Sequence, residues 1–310
     1  MENIDFLKLM NIAKENDICY FSDPIGVMFR SIDYNLDYLL ELYFDEINIS
    51  QEIIENVKTD FHNWLIINYE NIHTRNEKDI KICAFSDPHG DLPNIESCDI
   101  CFICGDIVPL DVQRDAYLSE NWYTTIFFEW AKNTQANKIY FIAGNHDFYL
   151  MMMHKTAMNN IIKEYGLGNK LIYVEDEIIT DEKTGLIICG IPWVTGPANW
   201  AFYSYEPAKK YNPIMGIDID VLLTHQPPKV GKVGASYPNE YRERNFGSYE
   251  LTCAILNSNV KYNFCGHIHS GDHNRNMLGN TEIYNVSLKD ENYEPIYDPL
   301  YLNIEKESEI

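Results

Sequence analysis

The sequence of 310 residues predicts an α/β layered fold. Short apolar runs that end in polar residues recur from residue 81 onward, and segments with helical periodicity lie between them. Apolar runs of this length are typical of buried strands, and their alternation with helices is typical of layered α/β domains. The chain is also long enough for one large domain and a small accessory one.

The first 76 residues differ from the rest of the chain. They are rich in Leu, Ile, Glu, Asp and Asn, and Ile54, Val57, Phe61 and Trp64 recur at spacings of three and four. Such spacings give a helix one apolar face. We therefore predict a helical accessory subdomain over residues 1–76 and a main domain over residues 77–310.

The elements of the main domain are predicted in chain order. The strands are the apolar parts of KICAFSD, CDICFICGD, KIYFIAGNHD, LIYVED, LIICGIPW, DIDVLLTHQPP and VKYNFCGHIH, and EIYNVSL and LYLNIE are predicted as edge strands. A helix is predicted over residues 119–132. Ser248 is predicted to cap another helix, because serine hydroxyls accept bonds from free N–H groups at helix starts. The inner face of that helix includes Leu251, Ala254 and Ile255.

The composition limits the partners and the location of the protein. The formal net charge is -23, which disfavours extended duplex nucleic acid as a partner, because binding to phosphates relies on Lys and Arg. The segment MENIDFLKLM lacks the pattern of a signal peptide, and no apolar run is long enough to cross a bilayer. The eight cysteines are predicted to be free thiols. The sequence thus predicts a cytoplasmic protein that does not bind a membrane.

Three of these cysteines form a C-x-x-C-x-x-C run. Cys98, Cys101 and Cys104 could hold a metal or an iron–sulfur cluster, or they could be small buried residues of a strand. The run is continuously apolar and has no fourth cysteine nearby, which favours the buried strand.

Five apolar runs each end in residues that can bind metals. Ligands of α/β sheets bind beyond the carboxyl ends of the strands, so these residues are expected to converge. Carboxylate, imidazole and amide-oxygen donors suit Mn, Fe, Zn, Co or Ni, of which manganese is favoured here. Asp106 is central in the motif order and is the candidate bridge between two cations. The candidate ligands are Asp87, His89, Asp106, Asn145, His225, His267 and His269.

The motifs D-P-H-G, G-D, G-N-H-D, T-H and G-H-I-H, taken in this order, resemble the calcineurin-like metallophosphoesterase superfamily over roughly residues 80–300. The resemblance implies a sandwich of two mixed β-sheets flanked by helices, with two divalent ions at one end. It assigns Asp106 to both metals, and it maps a catalytic histidine that is not a ligand to His146, with Asp147 beside it. It assigns one metal to Asp87, His89 and His269, and the other to Asn145, His225 and His267.

Within the superfamily, the chain looks most similar to the metallophosphoesterase-domain-containing phosphodiesterases. The segments GIPWVTGPANWAFY and FCGHIHSG carry this similarity, whereas the arginines typical of phosphoprotein phosphatases are missing from GDIVPL and AGNHD. The similarity implies hydrolysis of a small phosphoester, such as a cyclic nucleotide. The alternatives are a nuclease, a nucleotide pyrophosphatase or phosphomonoesterase, and a non-enzymatic metal-binding scaffold.

The expected reaction is attack on phosphorus by a hydroxide that bridges the two metals. His146 would donate a proton to the leaving oxygen, and Asp147 would orient His146 or serve as a helix cap. Trp193 is a candidate for stacking on a base, as are the nearby Trp200, Phe202 and Tyr203, although all four could equally be core residues. Arg242 and Arg244 are candidates for binding a phosphate, or they could lie in a solvated loop.

Overall fold

The computed structural model describes residues 6–16, scattered positions between 18 and 64, residues 79–236 and residues 244–305. The chain divides into two compact units, Met1–Asp79 and Ile80–Ile310. In the first unit, helix α1 spans Phe6–Glu15, and an apolar cluster buries Leu39, Val57 and Phe61. The assignment of this unit as an accessory subdomain stays a prediction.

The second unit contains thirteen described strands in two large sheets and one small sheet. The five-stranded sheet has the order β13-β1-β2-β3-β4, the six-stranded sheet has the order β11-β12-β10-β7-β6-β5, and β8 pairs with β9. The strands are β1 (Asp79–Phe85), β2 (Cys98–Cys104), β3 (Ala136–Ile142), β4 (Leu171–Tyr173), β5 (Glu177–Thr180), β6 (Ile187–Ile191), β7 (Asp218–Thr224), β8 (Ala235–Ser236), β9 (Arg244–Asn245), β10 (Asn259–Cys265), β11 (Asn276–Leu278), β12 (Thr281–Asn285) and β13 (Leu300–Glu305).

The two large sheets pack face to face. Successive side chains of a strand point to opposite faces, so Ile100 and Phe102 of β2 enter the core between the sheets, whereas Ile103 faces the helices. The ring of Phe102 stacks on that of Phe264 from the other sheet, with 5.9 Å between the centroids. Both faces of β2 are thus buried, which explains its continuously apolar sequence. The predicted two-sheet sandwich flanked by helices is confirmed.

The cysteines of β2 are buried strand residues. Cys98 and Cys101 pack in the core beneath the helices, and Cys104 packs between the sheets. The thiols therefore lie on different faces of one sheet, so the interpretation as a buried strand is confirmed.

The helices of the second unit cover the outer faces of the sheets. They are α2 (Ala116–Trp122), α3 (Phe128–Asn133), α4 (Phe148–Glu164), α5 (Pro207–Tyr211) and α6 (Tyr249–Leu256). Ser248 caps α6 as predicted, because its side chain accepts a bond from the N–H of Leu251. The predicted inner face of α6 is confirmed as well, since Leu251, Ala254 and Ile255 are buried.

The predicted helix at residues 119–132 is helical throughout, but it contains a π-helical turn at Tyr123–Phe127. Ile126, within that wider turn, is exposed. One prediction of local structure was wrong. The strand β12, predicted at an edge, lies between β10 and β11 because residues 276–285 form a hairpin. The prediction for β13 is confirmed, since it is an edge strand of the described sheet.

Candidate metal centre

The five predicted motifs converge at one end of the sandwich. They follow β1, β2 and β3 in one sheet and β7 and β10 in the other. The pairs β1–β2, β2–β3 and β7–β10 are parallel, so the carboxyl ends of these strands lie at the same edge. At that edge the two sheets are joined by backbone bonds, since Ser86 donates to Val286 and accepts from Leu288.

The predicted ligands form neighbouring groups that could each hold a metal ion. One group is Asp87, His89 and His269, and another is Asp106, His225 and His267. The carboxylate of Asp106 lies 3.2 Å from Nε2 of His225 and 4.0 Å from Nε2 of His89. Asp106 thus lies between the groups, which is the position that a bridging ligand requires.

Asn145 belongs to the same cluster. Its Oδ1 lies 3.0 Å from Nε2 of His225. A third group that could hold a metal is formed by His89, Asp106 and His146. His146 is therefore close enough to serve as a ligand itself, which is an alternative to the role that the family resemblance implies.

The chemistry of the cluster fits divalent ions. Both ring nitrogens of His89 are buried and have no hydrogen-bond partner among the described residues. A buried polar atom without a partner costs free energy, and a ligand bond to a cation would satisfy one of these nitrogens. Asp87 and Asp106 are also buried, and buried carboxylates require compensating positive charge.

The protonation states of the cluster are compatible with metal binding. Burial lowers the pKa of His89 to about 4, and burial together with His225 lowers that of His267 to about 3. These imidazoles are thus neutral at pH 7 and keep a lone pair for a metal. Burial opposes the charged form of His225, but Asp106 outweighs it and raises the pKa of His225 to about 9. A bound cation would compete with that proton.

Contacts behind the cluster orient its imidazoles. Nδ1 of His225 lies 2.8 Å from the carbonyl oxygen of Cys104, and Nδ1 of His269 lies 2.8 Å from that of Asp290. Because carbonyl oxygens only accept, both Nδ1 atoms are donors and Nε2 is left for the site. Asp87 is held in turn by the hydroxyl of Ser287, which donates to its Oδ2 at 2.7 Å.

The backbone of the cluster is strained. Asp87, His89, Asp106 and His267 all have positive φ angles, between +44° and +68°. Left-handed backbone is costly for residues other than glycine, and such strain concentrates at functional sites. Gly144 is required for a different reason, because a Cβ atom there would collide with the carboxylate of Asp106.

The structure places His146 in the cluster but gives its neighbour Asp147 a different environment. The carboxylate of Asp147 accepts bonds from the N–H groups of Ile107 and Gly144 and from the hydroxyl of Tyr123. Nδ1 of His146 instead lies 2.6 Å from Oε1 of Gln113. Asp147 therefore connects the loops that follow β2 and β3. It directly precedes α4, but its side chain makes no capping bond to that helix.

A cavity of about 860 Å³ opens over the cluster. Asp106, Asn145 and His146 form part of its wall, together with Trp200, Phe246 and Tyr293. The ring of Trp200 lies 4.4 Å from that of His146 between centroids. The ring of Tyr293 lies 5.0 Å from that of His89 and 5.2 Å from that of His269.

Two of the three predicted substrate contacts, Trp193 and Arg244, do not line this cavity in the described structure. The indole N–H of Trp193 donates to Asp176 at 2.8 Å, and the ring packs against Phe202. Arg244 is exposed in β9, next to the lining residue Asn245. Arg242 lies outside the described residues. The role of all three as substrate contacts stays a prediction.

Gln113 and Tyr293 were missed by sequence reasoning. Gln113 lies in the loop between β2 and α2, seven residues after Asp106, and Tyr293 lies in the polar segment DENYEP. Neither residue follows an apolar run directly, so the pattern that identified the other site residues does not apply to them.

Comparison with known proteins agrees with this geometry. The calcineurin-like phosphoesterase family matches residues 80–271, which is more than half of the chain. The chain belongs to the calcineurin-like phosphoesterase family. Family membership and the buried His and Asp groups together support a metal-dependent phosphoesterase.

Individual relatives are more distant. A UPF0046 protein of Caenorhabditis elegans is 32% identical over 159 residues, which cover 50% of this chain and 38% of that protein. The chain therefore spans less than half the length of this curated relative. The crystal structure of a phosphopantetheinyl hydrolase from Mycobacterium tuberculosis is 12% identical, with a TM-score of 0.39 over 70% of this chain and 92% of that chain. A similarity this low does not bear on the substrate.

Among the helices that the structure describes, none combines the length and the apolar character needed to cross a membrane.

Proposed function

We propose that this chain is a dimetal phosphodiesterase that hydrolyses small phosphoesters such as cyclic nucleotides. The observation that carries the proposal is the convergence of six candidate ligands around a seventh, Asp106, with His89 buried and left without a hydrogen-bond partner among the described residues. The family match supports phosphoester hydrolysis. The preference for a diester rests on the resemblance of the sequence to the metallophosphoesterase-domain-containing phosphodiesterases, and the preference for a small substrate rests on the cavity.

In this proposal, two divalent ions are held by the two groups that meet at Asp106. Asp87, His89 and His269 hold one ion, and Asn145, His225 and His267 hold the other. When bound, such ions supply the Lewis acidity that activates water and neutralises charge on a phosphoryl group. The donor set suits Mn, Fe, Zn, Co or Ni, and manganese is the first metal to test.

The proposed task of His146 is to give a proton to the leaving oxygen. Its ring lines the cavity, and its Nε2 lies 3.8 Å from Oδ2 of Asp106. The backbone N–H of His146 donates to Oδ1 of Asp106 at 2.7 Å, which fixes the loop beside the metal groups. The ring is thus near the place where a phosphoester would be held, as proton transfer requires.

The cavity supports a small substrate with a ring. Its volume of about 860 Å³ falls within the usual range for small-molecule sites. Trp200, Phe246 and Tyr293 offer aromatic faces on which a nucleobase could stack. The net charge of -23 favours a small anion that the metals can neutralise over a long polyanion.

A substrate panel tests the proposal. Turnover of bis-p-nitrophenyl phosphate, p-nitrophenyl phosphate, cyclic nucleotides, dinucleoside polyphosphates and single-stranded DNA would be measured with each metal in turn. We expect diesters and cyclic nucleotides to be the best substrates. Activity on the monoester alone would overturn the diesterase assignment, and activity on DNA or polyphosphates alone would indicate a nuclease or a pyrophosphatase. No turnover of any compound would favour a binding scaffold.

His146→Ala separates the two possible roles of this histidine. As a proton donor, His146 is dispensable for metal binding, so the variant should keep two ions per chain and lose about 100-fold or more in kcat for a cyclic nucleotide, whose leaving oxygen requires a proton. Loss of an ion from the variant would show that His146 is a ligand. Unchanged hydrolysis of the cyclic nucleotide would exclude it as the proton donor.

A cytoplasmic location is also part of the proposal. It rests on the expectation that the cysteines are free thiols, and the described cysteines are free. Cell fractionation with antibodies against the chain would test it, and recovery in an exported fraction would contradict it.

A further inference from the structure

We infer that Gln113 is a positioning residue that fixes the ring orientation and the tautomer of His146. This inference rests on the proposed function, because it concerns the nitrogen from which His146 would donate a proton. The sequence pattern pointed to Asp147 for this task, but the contacts of Asp147 are with Tyr123 and backbone N–H groups.

The hydrogen bonds of Gln113 determine which way its amide faces. Its Nε2 donates to the carbonyl oxygen of Leu110 at 2.7 Å, and its Oε1 lies 2.6 Å from Nδ1 of His146. The oxygen and nitrogen of an amide are assigned from such networks. A carbonyl oxygen can only accept, so the amide nitrogen faces Leu110 and the amide oxygen faces His146.

This orientation fixes the proton on one ring nitrogen. An amide oxygen carries no hydrogen, so Nδ1 of His146 must be the donor in this bond. In the neutral ring, Nε2 is then left without a proton, so His146 must first take up a proton at Nε2, which forms the imidazolium, before it can give that proton to a leaving oxygen. Nε2 is also the nitrogen that lies 3.8 Å from Asp106, at the edge of the metal groups. Gln113 therefore reserves Nε2 for proton exchange with a molecule in the cavity.

Gln113 is held in place by residues close to it in the sequence. The backbone N–H of Gln113 donates to the carbonyl oxygen of Pro109 at 3.1 Å, within the turn that follows Asp106 and Ile107. Gln113 is thus held by its backbone to residue 109 and by its side-chain amide to residue 110. A neutral amide also orients the ring without adding a negative charge beside the buried Asp87 and Asp106. A third carboxylate there would increase the repulsion among buried anions.

The first test is nuclear magnetic resonance of the ring nitrogens in metal-free protein with ¹⁵N-labelled histidine. We expect His146 to be protonated at Nδ1 in the wild type and to become a mixture of tautomers in Gln113→Leu. Gln113→Glu should keep the Nδ1–H form, because a carboxylate also accepts. The control is Gln135→Leu, which makes the same change at an exposed position just before β3. An unchanged tautomer in Gln113→Leu would overturn the inference.

The second test is dependence on the leaving group. Gln113→Leu should slow the hydrolysis of a diester with a poor alkyl leaving group about 10- to 100-fold, the usual cost of removing an orienting partner. It should change hydrolysis of a p-nitrophenyl diester less than about threefold, since p-nitrophenolate leaves without a proton. Gln113→Leu should add nothing to His146→Ala. Equal losses on both substrates, or additive losses in the double variant, would show a merely structural role.

The two tests distinguish a failure of the proposed function from a failure of the inference about Gln113. A wild-type chain that hydrolyses neither diester would contradict the proposed function, and the tautomer measurement would still decide whether Gln113 positions His146. An active chain in which His146→Ala is sensitive to the leaving group and Gln113→Leu is not would contradict the inference alone. If Gln113→Leu does not fold, Gln113→Glu is compared with the wild type in both measurements, and a change of tautomer in it would contradict the inference.

Discussion

At the residue scale, the properties of the candidate metal centre depend on the groups that hydrogen-bond to each candidate ligand side chain. Asp87 shows this, because its Oδ2 accepts bonds from the hydroxyl of Ser287 and from the backbone N–H of His267. Burial opposes the charged form of Asp87, but His269 and His225 outweigh it and hold the pKa of Asp87 well below its ordinary value. The carboxylate is therefore charged and fixed before any cation arrives.

Ser287→Ala removes one of these bonds and should weaken metal binding. We expect the affinity of the Asp87 group for a divalent ion to fall about 10- to 100-fold, as is usual for partners that orient a ligand. Titration against a competing chelator measures this. The control is Ser258→Ala, since the hydroxyl of Ser258 bonds to Ile255 at the end of α6. Equal affinities of the Ser287→Ala and Ser258→Ala variants would contradict the prediction.

Trp200 and Trp193 make a second comparison at this scale. Trp200 lines the cavity, whereas Trp193 is bonded to Asp176 and does not line it. Trp200→Ala should raise KM for a cyclic nucleotide about tenfold, because stacking on a base contributes about 1–3 kcal/mol. Trp193→Ala should lower stability and leave KM nearly unchanged. If Trp193 were the substrate contact, steady-state kinetics would show the larger rise in KM for Trp193→Ala.

The candidate ligands could be predicted from the sequence because each lies within a few residues of a strand end. Asp106, for example, follows directly after the apolar run of β2 and a glycine. Gln113 and Tyr293 could not be predicted in this way. Both lie in loops that have no periodic pattern, and only the folded structure shows that these loops return to the site. The contacts of Asp147 could not be predicted for a related reason: proximity to His146 in sequence does not determine where a carboxylate points.

At the scale of elements, the π-helical turn at Tyr123–Phe127 connects a helix to the site loops. The hydroxyl of Tyr123 donates to Oδ1 of Asp147 at 2.7 Å, and both side chains are buried. Burial and the charge of Asp106 raise the pKa of Asp147 to about 6. The sequence predicts a helix here but not the π-helical turn, because one inserted residue leaves almost no trace in apolar spacing. The residue that begins the π-helical turn, Tyr123, is also the one that bonds to Asp147.

Tyr123→Phe tests this connection. The variant removes the hydroxyl but keeps the ring, so Asp147 loses one partner in a buried environment. We expect the free energy of unfolding to fall by about 1–3 kcal/mol, the usual cost of leaving a buried polar group less satisfied. Urea unfolding measures this, with Tyr117→Phe as the control, because Tyr117 is 77% exposed. A loss of the same size in both variants would contradict the role of the bond.

At the scale of the whole molecule, metal binding should stabilise the folded chain. A ligand that binds only the folded state stabilises it by about 2.7 kcal/mol at a concentration 100 times its Kd. We therefore expect chelation to lower Tm by several degrees and manganese to restore it, as measured by calorimetry. Asp106→Asn should abolish this response, whereas Asp218→Asn, at the exposed start of β7, should keep it. A Tm that is independent of metal in the wild type would contradict the site.

The layered fold could be predicted at this scale because strands buried on both faces produce apolar runs that stand out from the helices. The order of strands could not, since β11 contributes only three residues and β8 and β9 only two each. Short strands of this kind are specified by the hairpins and loops around them more than by their own composition.

The proposed ligands come from both sheets: Asp87, His89, Asp106 and Asn145 follow strands of one, and His225, His267 and His269 follow strands of the other. Cations bound there would cross-link the sandwich at the end where Ser86 already bonds to residues 286 and 288. Amides near Ser86 and Val286 should consequently exchange their hydrogens more slowly in the metal-loaded protein, although neither residue is a ligand.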